Sequence, residues 1–146
     1  MDYQKLNKQL KSLIDTPHLV ANLANASALL FCNMPNLNWA GFYLVQNEKL
    51  VLGPFQGKPA CIEIEVGKGV CGTAVKKQQT IVVDNVHNFE GHIACDCNSN
   101  AEIVVPIFKD NKVFAVLDVD SPNFSRFTQV DKIGLEEFCK IIEETL

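Results

Sequence analysis

The chain has 146 residues, 47% hydrophobic and 21% charged, with a formal net charge of -4, which describes one soluble domain long enough to close a core. Thirteen basic residues, Arg126 the sole arginine among them, stand against 17 acidic ones, so no basic stripe follows a nucleic-acid backbone. The longest apolar runs reach about half of a membrane span, and the opening Met-Asp-Tyr-Gln-Lys is charged and amphipathic rather than a secretion signal. A cytoplasmic protein that binds neither nucleic acid nor membrane is expected.

Tyr3, Leu6, Leu10, Leu13 and Ile14 recur at helical spacing, and Leu19, Leu23, Ser27, Leu30, Phe31 and Met34 repeat the pattern after Pro17. Two amphipathic helices open the chain. Residues 38–45 and 49–52 read as a hairpin around Gln46-Asn47, residues 53–59 as a long loop, and residues 60–66 as a third, alternating strand. Gly67-Lys68-Gly69 leads into a short helix whose first turn holds Cys71, and residues 80–83 form a strand. Residues 84–100 are polar and aperiodic, longer than a connector needs to be, which marks a functional loop. Residues 102–108 and 112–120 form a second hairpin around Asp110-Asn111, ended by Ser121-Pro122. Thr128 caps a last helix that carries Val130, Ile133, Phe138, Ile141 and Ile142 on one face. The order predicts an α+β fold: a central antiparallel sheet with helices packed on one face and a pocket on the other.

Strand alternation assigns the pocket residues. Asp118 and Asp120 share a face with Phe114 and Val116; Glu102 shares one with Val104 and Pro106; Trp39, Gly41 and Tyr43 share a third. Where these faces coincide, the sheet floors a site acidic on one side and aromatic on the other, with a gap at Gly41. Such a site suits a small cation, such as an amino group, beside an apolar group. Taken singly, the aspartates also suit turn capping and Trp39 plain core.

Six cysteines in a reducing compartment are buried bystanders, metal ligands or redox groups. Cys32 and Cys139 sit in apolar helical stretches and read as buried spectators. Cys71, at a helix start behind glycines, lies where the helix dipole favours a thiolate or a ligand's anion. Cys61 begins a strand and fits core and chemistry equally; Cys95, in the polar loop, is the best reactive thiol. The metal alternative is His87, His92, Cys95 and Cys97, but their His-x4-His-x2-Cys-x-Cys spacing is not a usual zinc pattern, and no metal is expected.

The runs Asn38-Trp39-Ala40-Gly41-Phe42-Tyr43-Leu44, Gly53 through Cys61, Gly69-Val70-Cys71-Gly72, Gly91-His92-Ile93-Ala94-Cys95-Asp96, Glu102-Ile103-Val104-Val105-Pro106 and Leu117-Asp118-Val119-Asp120-Ser121-Pro122 resemble the free methionine-(R)-sulfoxide reductases, single-domain enzymes of the GAF fold. The resemblance covers nearly the whole chain. It implies one GAF domain over 1–146, with N-terminal helices in 1–34, the sheet and active-site loops in 38–122 and the C-terminal helix in 128–145. It also implies reduction of free L-methionine (R)-sulfoxide, with Cys95 as nucleophile, Cys61 as resolving partner and Cys71 as a third redox cysteine. Trp39 and Tyr43 would hold the substrate's methyl end, and Glu102, Asp118 and Asp120 its ammonium and sulfoxide oxygen. No cofactor is bound in this reading; thioredoxin, recharged by NADPH through thioredoxin reductase, is the reductant, and the family suggests a homodimer.

The residue types agree with that chemistry. A thiol attacking a sulfoxide needs the oxygen protonated, hence an acid kept neutral near pH 7, and crowded carboxylates raise one another's pKa values. The sulfenic acid left behind needs a second thiol. Cys97 departs from the family pattern, and a Cys-x-Cys disulfide would close a very small, strained ring. The other reading is a non-catalytic GAF sensor of a small ligand, with no output domain expected from this sequence.

Overall fold

In the computed structural model, which describes residues 1–93 and 98–146, two tight turns set the sheet. Asn47-Glu48 and Asp110-Asn111 hold positive φ at both positions (52° and 62°, 52° and 63°), the twist that matches flanking antiparallel strands. They join β1 (Trp39–Gln46) to β2 (Lys49–Gly57) and β5 (Ala101–Lys109) to β6 (Lys112–Ser121). The first turn lies one residue beyond the predicted one because Gln46 still pairs with Lys49. With β3 (Glu63–Glu65) and β4 (Ile81–Val83), the sheet runs β3-β2-β1-β6-β5-β4, every neighbour antiparallel.

Two expectations about strands change. Residues 53–57 continue β2 rather than starting a loop. Their Gly and Pro read as breakers, yet Pro54 sits where the register slips between Gly41 and Tyr43, a bulge that needs no ladder N–H from it. Its carbonyl accepts instead from Ser27 Oγ, at 3.2 Å. The third strand shrinks to Glu63–Glu65, where Ile64 pairs with Leu50.

Helices α1 (Tyr3–Leu13), α2 (Leu19–Asn33) and α4 (Gln129–Glu143) cover one face of the sheet, burying Leu10, Leu23, Leu30 and Phe138 against Phe42, Ile103, Leu117 and Val119. Helix α3 (Gly69–Lys77) departs from the expected one-sided arrangement. It lies over the opposite face, where Val70 and Ala74 pack with Tyr43, Val104 and Val116. Its position follows from a tight connection: Gly67 N–H donates to Gly72 O at 2.8 Å, and a Cβ on Gly72 would collide with the Glu65 carbonyl.

The apolar stripe of α4 is rotated from the predicted one. Leu135, Phe138, Cys139 and Ile142 are buried, whereas Val130 and Ile133 are 64% and 60% exposed. The helix start decides this. Thr128 and Asp131 form a capping box, and Asp131 also accepts from Tyr3 Oη at 2.6 Å and from Arg126 at 3.2 Å. The Tyr3 ring can lie there because position 134 is glycine; a Cβ would fall on the ring. Gly134→Ala therefore displaces Tyr3 from Asp131 and is expected to lower stability by about 1–3 kcal/mol in denaturant unfolding, the usual scale for overpacking.

Candidate active site

Register assembles the site. Across β1 and β6, Trp39 pairs with Asp120, Gly41 with Asp118 and Tyr43 with Val116; across β5 and β6, Glu102 pairs with Asp120 and Val104 with Asp118. Directly paired residues present their side chains on one face. Trp39, Tyr43, Glu102, Asp118 and Asp120 accordingly line one pocket, as strand alternation predicted. Helix α3 adds Gly69, Val70 and Cys71, with Lys68 at its start.

The aromatic side has no gap at Gly41. Phe55, opposite Gly41 on β2, occupies that space: its ring stacks on Trp39 with centroids 5.1 Å apart and planes 16° apart, while Trp39 lies 6.0 Å from Tyr43 at 25°. A Cβ on Gly41 would fall onto Phe55 Cβ and within 2.8 Å of its Cα. Phe55 escaped the sequence reading because its segment looked like a loop. Both polar tips of the wall are tied down. Trp39 Nε1 donates to Lys58 O at 3.1 Å, and Tyr43 Oη donates to Cys61 O at 2.9 Å.

On the acidic side, Glu102 and Asp118 are buried and Asp120 half-buried. Asp118 Oδ1 and Asp120 Oδ1 are shut from water with no amide, hydroxyl or cation to bond among the described residues. Asp120 Oδ2 accepts a long bond, 3.4 Å, from Ser99 Oγ, which in turn accepts from Asn38 at 2.9 Å. Burial pushes the Glu102 carboxyl well up, and the charge of Asp118 and Asp120 pushes it further. Asp120 rises for the same reasons, burial first and then Asp118. Burial raises Asp118 as well, but hydrogen bonds from Glu102, Cys71 and Asp120 oppose the rise. All three acids of the site are therefore harder to ionise than in water.

Cys71 corrects an expectation. It is 4% exposed, and burial followed by the charges of Asp118 and Glu102 drives its thiol well up, overriding the helix dipole that favoured a thiolate. Cys139 is buried as expected, but Cys32 is exposed, because the apolar stretch around it exceeds the face that α2 buries. Cys61 is half-buried and disulfide-bonded. Cys95 and Cys97 lie outside the described residues.

His92, in sequence a polar loop residue or a metal-ligand candidate, lines the pocket, and burial, then His87, lowers its pKa. His87 instead pairs its Nε2 with Asn100 Oδ1 at 2.9 Å. Among the described residues, Cys71, Glu102 and Asp118 bring ligand-type atoms within 4.8 Å of one another. Burial pushes up the pKa of all three, so the set reads as a proton-sharing cluster. Ser99 and Lys68 carried no signal in the sequence beyond being polar.

A GAF domain model matches residues 10–146. The chain is 49% identical over 145 residues to the free methionine-R-sulfoxide reductase of Escherichia coli, covering 99% of this chain and 88% of the relative. It belongs to the free methionine-R-sulfoxide reductase family, oxidoreductases built on a GAF domain. Among solved structures, the fRMsr of Staphylococcus aureus in its reduced form superposes with a TM-score of 0.97 at 57% identity, covering 99% of this chain and 95% of that one. The same enzyme in complex with its substrate gives 0.95 at 56%, with the same coverage. The fold described above is thus shared with that reductase over nearly the whole chain.

The acid cluster makes stability depend on pH. A carboxyl whose folded pKa is raised binds its proton more tightly in the native state, so its stabilising share is complete below the unfolded value, near 4, and is lost as pH rises through the folded one. Glu102→Gln keeps the shape and removes the ionisation. Its melting temperature relative to the wild type should climb steadily between pH 4 and pH 8 in thermal unfolding; a constant difference would mean that Glu102 titrates normally.

Proposed function

We propose that this protein reduces free L-methionine (R)-sulfoxide to methionine, using Cys95 as nucleophile and Cys61 as resolving thiol. The observation that carries the reading is the cluster of neutral acids facing an aromatic wall in one pocket. Asp118, with a buried, unbonded oxygen, suits the substrate's ammonium. Glu102 and Asp120 suit the sulfoxide oxygen, since each has a proton to give. The Trp39 and Tyr43 rings suit the methyl end, with Phe55 stacked on Trp39. Lys68 and the start of α3, which has no side-chain cap, suit the carboxylate. Both ends of the amino acid are thereby held, which favours the free molecule over a peptide-bound one.

The chemistry balances in three steps. Cys95 sulfur attacks the sulfoxide sulfur while an acid protonates the oxygen; the oxygen passes to Cys95 as a sulfenic acid, and methionine is released. The Cys61 thiol displaces that oxygen as water and forms a disulfide. A dithiol reductant, thioredoxin recharged by NADPH through its reductase, takes up the disulfide and restores two thiols. The disulfide state of Cys61, beside free Cys32, Cys71 and Cys139, supports it as the resolver. The same cycle fits a reducing, cytoplasmic setting, and among the described residues no helix is long and apolar enough to cross a membrane.

Coupled NADPH consumption with free (R)-sulfoxide, the free (S) epimer and an N-acetylated (R) substrate tests the reading, with turnover expected from the first alone. Cys95→Ser should abolish even a single stoichiometric reduction, whereas Cys97→Ser should keep turnover nearly unchanged. Absence of both turnover and stoichiometric reduction in the prereduced wild type would replace the enzyme with a ligand-sensing GAF module.

A further inference from the structure

Cys71 has two features that a resolving thiol should lack. It is buried in the pocket roof on a locked backbone: Gly72 N–H donates to Lys68 O at 3.0 Å, Gly67 N–H to Gly72 O at 2.8 Å, and Gly72 abuts the Glu65 carbonyl with no room for a side chain. It is also surrounded by acids rather than by groups that would ionise it, since its sulfur and the carboxyl oxygens of Glu102 and Asp118 lie within 4.8 Å of one another. Thiol exchange requires a thiolate and freedom to approach a second sulfur. Cys61 contrasts on both points, being half-buried, outside any helix and disulfide-bonded, while Cys71 is free.

What Cys71 does offer is a thiol whose sulfur lies within 4.8 Å of the Asp118 carboxyl, one oxygen of which is buried and without a hydrogen-bond partner among the described residues. We propose that Cys71 is a positioning residue rather than a redox partner: its thiol stays reduced and donates to Asp118, holding that carboxylate as the anchor for the substrate's ammonium. The proposal rests on the reductase reading above. Asp118 is faced by Glu102 from β5, Asp120 from its own strand, Tyr43 from β1, His92 from the 84–100 loop and Cys71 from α3. Glu102 and Asp120 each have a further duty toward the sulfoxide oxygen. Cys71 is the donor whose role toward Asp118 can be removed without touching those protons. A serine hydroxyl in its place keeps a donor of the same kind, and an alanine deletes it.

The test compares the full-length wild type, Cys71→Ser and Cys71→Ala, all prereduced, in three readouts. These are kcat and KM for free L-methionine (R)-sulfoxide from pH 5 to 9, disulfide mapping after one equivalent of substrate, and the Asp118 carboxyl titration by carbon NMR without substrate. Deleting a donor to the charged form raises the Asp118 pKa, so in Cys71→Ala the acid limb of kcat/KM should move to higher pH and KM should rise roughly five-fold. Cys71→Ser should restore both, and all three proteins should form the same disulfide. An acid limb unmoved in Cys71→Ala, or a sulfenic acid that accumulates equally in the serine and alanine variants, would overturn the proposal. The titration separates it from the functional reading: a shift of Asp118 in Cys71→Ala without wild-type turnover keeps the hydrogen bond and sinks the reaction, whereas wild-type turnover without that shift sinks the positioning role.

Discussion

Three carboxyl side chains on one face of a sheet, out of water and within reach of one another, form the constraint around which this molecule is arranged. The pairings Trp39 with Asp120, Gly41 with Asp118 and Glu102 with Asp120 leave them no other side to point to, since a slip of one residue would send the acids into the core under α1, α2 and α4. Ionising all three there would cost far more than a fold of this size can spare. The remedy is to share protons. Burial pushes the Glu102 and Asp120 carboxyls well up, and hydrogen bonds from its neighbours oppose the rise of Asp118. The acidity that a reductase of sulfoxides requires is thus a by-product of burial.

Much of this was legible from period-two alternation, because alternation is a property of the backbone and survives whatever packs upon it. Asp118 and Asp120 had to share a side, and the turn that places Asp120 opposite Glu102 is marked by Asp110-Asn111. What was hidden lay in tertiary contacts that override local chemistry. Pro54 read as a breaker, but a bulge absorbed it and carried β2 on to Phe55, which completes the aromatic wall. Cys71 read as an activated thiol from its place at a helix start, whereas burial, and then acids contributed from β5 and β6 more than 30 positions away in the chain, push its thiol up. No local pattern reports such a neighbour.

The two faces of the sheet serve different purposes. Beneath α1, α2 and α4 the residues are almost uniformly aliphatic or aromatic, and that side supplies the apolar burial. The α3 side spends part of its area on acids and polar tips, and its roof is held by glycine contacts rather than by bulk. Stability is concentrated on one side so that the other can carry groups that a core would reject.

Tyr43 belongs to both the pocket and the backbone of Cys61. Its ring stacks in the aromatic wall and its hydroxyl holds the Cys61 carbonyl at 2.9 Å. A single rigid side chain therefore acts as a lever between the cavity and the thiol segment. Levers transmit in both directions: if filling the cavity changes the free energy of Cys61's bonding state, then a change in that bonding state alters, by the same amount, how tightly the cavity holds its contents.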